Sequence, residues 1–147
     1  MKKKIVFIMN PISGTSSKAA VPSLIDSTLD KEQFEYEIKM TERPEHASEL
    51  AAEARDNHAD IVVAVGGDGT VNEVARSLVH SDSALGILPC GSGNGLARHL
   101  LLPMNLKKSI EIINAYEIHD LDYGVINEYP FFCRCGMGQE AFFRKEF

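Results

Sequence analysis

Apolar positions along the chain fall into short blocks separated by polar turns, and the period of the blocks alternates. Ile5 to Met9 and Ile61 to Val65 are apolar throughout and rich in β-branched residues. Such runs read as strands covered on both faces, the pattern of a parallel sheet flanked by helices. Lys4 to Met9 is thus the predicted first strand, Ile61 to Val65 the third, and Ala84 to Leu88 a short fourth. Phe34 to Met40 differs, because Phe34, Tyr36, Ile38 and Met40 alternate with Gln33, Glu35, Glu37 and Lys39. That alternation predicts a second strand with one polar face, lying toward an edge of the sheet.

Helical periods fill the intervals. Ala20, Val21, Leu24, Ile25 and Leu29 predict a helix within Lys18 to Leu29, which must begin close to Pro22. Ala47, Leu50, Ala51 and Ala54 form one side of a helix from about Pro44 to Asn57, with Pro44 suited to its first turn. Val71, Val74, Ala75 and Leu78 continue a helix that opens near Thr70, which reads as an N-cap or first-turn residue with Glu73 three positions on as in a capping box. Leu96 to Leu101 starts a further helix closed by Pro103, and Leu106, Ile110 and Ile113 define one over Leu106 to Ala115. Strand and helix alternate to about residue 120, which predicts a three-layer α/β/α domain over 1–120 with a mainly parallel sheet. From His119 to Cys135 the apolar runs are broken only by Asn127-Glu128-Tyr129-Pro130, which reads as a hairpin. Residues 121–147 are therefore expected to be the first strands of a second, antiparallel β domain.

Composition narrows the class. A chain of 147 residues can bury a core of its own, and 44% hydrophobic with 24% charged residues is an ordinary globular balance. The net charge of −6 argues against a nucleic-acid groove. The lysines at 2–4 precede an apolar run too short for an export signal, and no run reaches the length of a spanning helix, so any membrane contact is expected to be peripheral. Cys90, Cys133 and Cys135 show no metal-type pairing, which suits reduced thiols in a cytoplasmic protein.

The candidate chemistry sits where strands end. The third strand runs into Gly66-Gly67-Asp68-Gly69-Thr70, where missing Cβ atoms permit positive φ and let a phosphate approach the backbone, and the following helix aims free N–H groups at the same spot. Asp68 is out of place among anion-attracting amides unless it handles a metal ion or a proton. The first strand ends in Asn10-Pro11-Ile12-Ser13-Gly14, whose residues form loops as readily as they bind phosphate. The fourth ends in Gly91-Ser92-Gly93-Asn94-Gly95. Three small-residue loops opening helices in one domain outweigh any one of them.

Asn10 to Gly14, Gly66 to Thr70 with Asn72 and Glu73, and Gly91 to Asn94 with Ala97 and Arg98 occur in the order and approximate spacing of the diacylglycerol and sphingosine kinase family. The chain resembles that family's N-terminal catalytic domain along essentially its whole length. NAD kinases and 6-phosphofructokinase share the fold and part of the Gly-Gly-Asp-Gly loop. The resemblance implies that ATP binds against Gly66 to Thr70, assisted by the Asn10 to Gly14 turn, by Thr41 and by Ser92, and that its γ-phosphoryl group passes to a lipid hydroxyl with Mg²⁺ present. It implies that Asp68 either polarises the hydroxyl or belongs to a Mg²⁺ and water network, and that Asp122, which reads equally as a turn residue at a strand end, takes part in metal binding. In sphingosine kinases the matching aspartate is regarded as the base, whereas bacterial diacylglycerol kinases draw theirs from the second domain.

Two departures accompany the match. Gly95 stands where the bacterial enzymes usually place an acid, and family members run to about twice this length, the remainder carrying the lipid-facing sandwich. As it stands the chain is expected to bind nucleotide and transfer phosphoryl poorly or not at all, to self-associate through apolar surface left by the missing part, and to reside in the cytoplasm or at the inner membrane surface. The competing readings are a NAD-kinase-like enzyme with a soluble acceptor and a non-catalytic nucleotide-binding module.

Overall fold

The computed structural model describes residues 2–11, 20–78, 81–89 and 106–115, with Asp68 and Pro89 described by their backbone, and the backbone of short strands at 119–120, 124–126, 129–131 and 134–135. Four strands, β1 (Lys3–Met9), β2 (Phe34–Met40), β3 (Ile61–Gly66) and β4 (Ala84–Pro89), form one all-parallel sheet in the order β2-β1-β3-β4. The helices among the described residues are α1 (Val21–Thr28), α2 (His46–Asp56), α3 (Asp68–Leu78) and α4 (Leu106–Ala115).

The period-two geometry of the strands sorts their side chains into two cores. Val6, Ile8, Val62, Ala64, Leu85 and Ile87 point to the face covered by Ala47, Ala51 and Ala54 of α2 and Val71, Val74, Ala75 and Leu78 of α3. Ile5, Phe7, Met9, Ile61, Val63, Val65, Ala84 and Leu88 point to the other face, under Val21 and Ile25 of α1 and Ile110 and Ile113 of α4. The three-layer α/β/α expectation is borne out, and β2 does occupy an edge. Its outward residues explain that place: Glu35, Glu37 and Met40 are exposed while Phe34 is buried.

Two helix starts differ from the sequence reading. Helix α2 begins at His46 and not at Pro44, because Glu45 adopts a left-handed backbone with φ of 68° that no regular helix can contain. Helix α3 begins at Asp68, since the Val71 N–H already donates to the Gly67 carbonyl at 3.1 Å. Thr70 is therefore a buried residue of the first turn, one of the two places expected for it, and not the N-cap. Pro22 lies in the first turn of α1, as expected, although that helix starts only at Val21.

Beyond α4 the backbone forms a hairpin. β6 (Gly124–Ile126) pairs antiparallel with β7 (Tyr129–Phe131), and β5 (His119–Asp120) with β8 (Arg134–Cys135). The two ladders differ in register by one residue, His119 standing opposite Cys135 but Gly124 opposite Phe131.

Candidate functional site

A strand order of β2-β1-β3-β4 has its reversal between β1 and β3, which succeed one another in the sheet but not in the sequence. In open α/β sheets the crevice beyond the carboxyl ends at such a reversal is where ligands bind. The strand ends there are tied together: the Asn10 N–H donates to the Val65 carbonyl at 3.3 Å and the Thr41 N–H to the Met9 carbonyl at 2.9 Å.

A cleft of about 280 Å³ opens at this place, lined by Asn10 and Pro11 from the end of β1, Thr41 to Pro44 from the end of β2, Ala47 of α2, and Thr70 and Glu73 of α3. Five sequence-predicted positions, Asn10, Pro11, Thr41, Thr70 and Glu73, thus line one cavity although they come from three separate stretches of chain. Gly66 and Gly67 form the join between β3 and α3 beside it, and Asp68 and Gly69 are the first two residues of α3. Because the helix ladder starts with the Val71 N–H, the N–H groups of Asp68, Gly69 and Thr70 have no acceptor within α3, and they point off its N-terminus with the positive end of the helix dipole. Asn72 is half-buried one turn further on and outside the cleft lining. Ser13, Gly14, Gly91, Ser92, Asn94 and Asp122 lie outside the described residues.

Gly69 corrects one expectation. Its φ is not in the left-handed range, and among the described residues a Cβ built on it meets nothing within 4 Å, so neither backbone strain nor packing against them requires glycine here.

Glu42, Arg43, Pro44 and Ala47 also line the cleft, although the sequence marks Pro44 and Ala47 only as residues of the following helix. The turn they form is held at several points. The Glu42 N–H donates to Nδ1 of the half-buried His46 at 2.9 Å, and the His46 N–H donates to the Arg43 carbonyl at 3.2 Å. Arg43 forms an ion pair with Glu49. The hydrogen bond from Arg43 is the main reason that the Glu49 carboxyl is held below its ordinary range and the Arg43 guanidinium above its own. Both groups are exposed, so salt will screen the pair. Keeping Glu45 left-handed costs about 1–2 kcal/mol for a residue with a side chain, a cost tolerated where the surroundings fix the turn.

The charges fit a cation that arrives with its anion. Glu42 and Glu73 both face the cleft, which would oppose a bare triphosphate. Among the described residues no three His, Cys, Asp or Glu side chains could hold a metal ion by themselves. Mg²⁺ typically keeps several waters and binds through one or two carboxylates together with substrate phosphates, and this donor set suits that mode.

Comparison with known proteins follows the same lines. Residues 4–126 match the family model of the diacylglycerol kinase catalytic domain. The chain is 32% identical over 142 residues to a diacylglycerol kinase of Staphylococcus saprophyticus, an alignment covering 95% of this chain and 46% of that protein. A diacylglycerol kinase of Staphylococcus haemolyticus is also 32% identical over 142 residues, with 95% and 43% covered. The crystal structure of a diacylglycerol kinase from Bacillus anthracis superposes with a TM-score of 0.72 at 24% identity, over 88% of this chain and 44% of that one, a likeness of fold. The chain spans a little under half the length of these relatives.

Proposed function

The chain belongs to the diacylglycerol kinase catalytic-domain family, and from that premise we propose that it forms the ATP-binding part of a lipid kinase. The reaction is transfer of the γ-phosphoryl group of ATP to the hydroxyl of a lipid alcohol such as diacylglycerol or sphingosine. The observation that carries this reading is the single cleft that gathers Asn10, Pro11, Thr41, Thr70 and Glu73 at the N-terminus of α3.

In this reading the phosphates of ATP lie against the N–H groups of Asp68, Gly69 and Thr70, with the hydroxyls of Thr41 and Thr70 and the Asn10 amide as further partners. Phosphoryl transfer asks chiefly for positioning and charge neutralisation, which oriented amides and a helix dipole supply without reorganising. Acidic groups that include Asp68 would hold Mg²⁺, which would supply charge neutralisation when bound. The bond from the γ-phosphorus to the bridging oxygen breaks, the lipid oxygen bonds to phosphorus, and the hydroxyl proton passes to Asp68 or to a base outside this chain. ADP and a phosphorylated lipid leave. Among the described residues no helix is long and apolar enough to cross a membrane. Because the acceptor is a lipid, it is proposed to be met at a membrane surface.

The full-length protein, given ATP, Mg²⁺ and a panel of lipid alcohols, should form a phosphorylated lipid. Failure with every acceptor, or NADP⁺ formed from NAD⁺ in its place, removes the lipid-kinase reading. Gly69→Ala tests the phosphate contact separately. Since the added methyl meets open space and alanine favours a helix by up to about 1 kcal/mol, thermal stability should hold or rise. ATP affinity should nevertheless fall about tenfold, the cost of losing one close contact worth ~1.4 kcal/mol. Unchanged ATP binding, measured by calorimetry, would place the phosphates elsewhere.

A further inference from the structure

Arg76 lies three residues beyond Glu73 on α3, on the neighbouring position of the same helix face. Its Nη2 donates to the Glu45 carboxylate at 3.0 Å, and its side chain is only 20% exposed against 67% for Glu45. The pair therefore joins an anchored cation to an otherwise solvent-facing acid. That acid belongs to the residue with left-handed backbone that ends the turn after β2. The turn contributes Glu42, Arg43 and Pro44 to the cleft. The seam between α2 and α3 is closed further by the Ser48 and Ser77 hydroxyls, 2.9 Å apart, and by Arg55 donating to the Ser77 carbonyl at 2.7 Å. Arg76 is the member of this seam that reaches the turn itself.

We infer that Arg76 is a positioning residue for the cleft: its ion pair with Glu45 keeps the β2–α2 turn in the left-handed conformation that sets Glu42, Arg43 and Pro44 into the cleft wall. A left-handed backbone at a residue with a side chain persists only where neighbours over-determine it, and a cation fixed on the adjacent helix is such a neighbour. The inference rests on reading the cleft as a nucleotide site, and it assigns to Arg76 no contact with ATP.

Arg76→Met in the full-length protein keeps an apolar stem packed and removes the charge. Without nucleotide, hydrogen exchange at the Glu42 and His46 amides should quicken about tenfold, since both bond within the turn. The Kd for ATP should rise roughly three- to tenfold with kcat at saturating ATP nearly unchanged, as expected when preorganisation of a binding wall is lost. Adding Glu45→Gly, which accepts positive φ without strain, should recover most of the ATP affinity. A melting temperature lowered by Arg76→Met while the two amides and the ATP Kd stay at wild-type values overturns the inference, and so does faster exchange with unchanged affinity. Wild-type protein that binds no ATP overturns the nucleotide reading instead, and the exchange rates then decide separately whether Arg76 holds the turn.

Discussion

Asp68→Asn in the full-length protein is expected to lower phosphoryl transfer to a lipid alcohol by about 10²–10⁴-fold, the range for removing a positioned general base. Asparagine keeps the shape and size of the side chain and removes its charge and basicity. The substitution falls on the first residue of α3. An acid there interacts favourably with the helix dipole, but that term is only about 0.3–1 kcal/mol, so unfolding will not account for a large loss of activity. ATP affinity separates the two roles open to Asp68. A base acts on the acceptor hydroxyl, so its loss should leave ATP binding and the Mg²⁺ concentration for half-maximal rate close to wild type. A member of the metal network would shift the Mg²⁺ requirement upward. Full activity in the variant would take Asp68 out of the chemistry altogether.

The neighbouring glycine makes the contrast sharper, because Gly69→Ala and Asp68→Asn touch adjacent residues of one helical turn. The first should weaken ATP binding and the second should spare it if Asp68 is the base. Equal effects on ATP binding would show both residues acting on the phosphates.

Strand identity was legible because burial on both faces leaves a plain mark: every residue from Ile61 to Val65 is apolar, and every one is buried. The alternation in Phe34 to Met40 likewise encodes an edge, where one face of the strand is left with charged residues. Which strand lies beside which is not written locally, since parallel partners are joined through helices and their pairing is set by long-range packing. The cleft shows the same division. Asn10 and Thr70 lie in loops whose residue types suit phosphate, and Thr41 was named only through the family resemblance and Glu73 through a capping box and that resemblance, but Ala47 enters the cavity only because α2 packs beside α3. The start of α2 was misplaced because Pro44 is a sound first-turn residue and nothing in the identity of Glu45 announces a positive φ. Its partner Arg76 lies 31 positions away in the sequence, and the two meet only in the folded chain.

Phe7→Ala is expected to destabilise the folded protein by about 3–5 kcal/mol, a large share of the roughly 5–15 kcal/mol that holds a domain of this size together. Phe7 is wholly buried in the middle of β1, opposite Ile38 on one side and Val63 on the other. Its ring meets Tyr36 edge-to-face, with centroids 5.8 Å apart and planes at 89°, a contact worth about 0.5–1.5 kcal/mol beyond the area it buries. Phe7→Leu, which fills most of the space, should cost clearly less, so that a urea series over Leu and Ala reports the cavity and not the strand. The side chain points to the α1 and α4 face of the sheet, whereas the cleft is walled by α2 and α3. ATP affinity of the folded Phe7→Ala protein should therefore stay near wild type at a temperature well below its melting point. Loss of affinity out of proportion to the unfolded fraction would mean that the positions of Asn10 and Thr41, tied through the Met9 and Val65 carbonyls to the strand ends, depend on packing on the far face of the sheet.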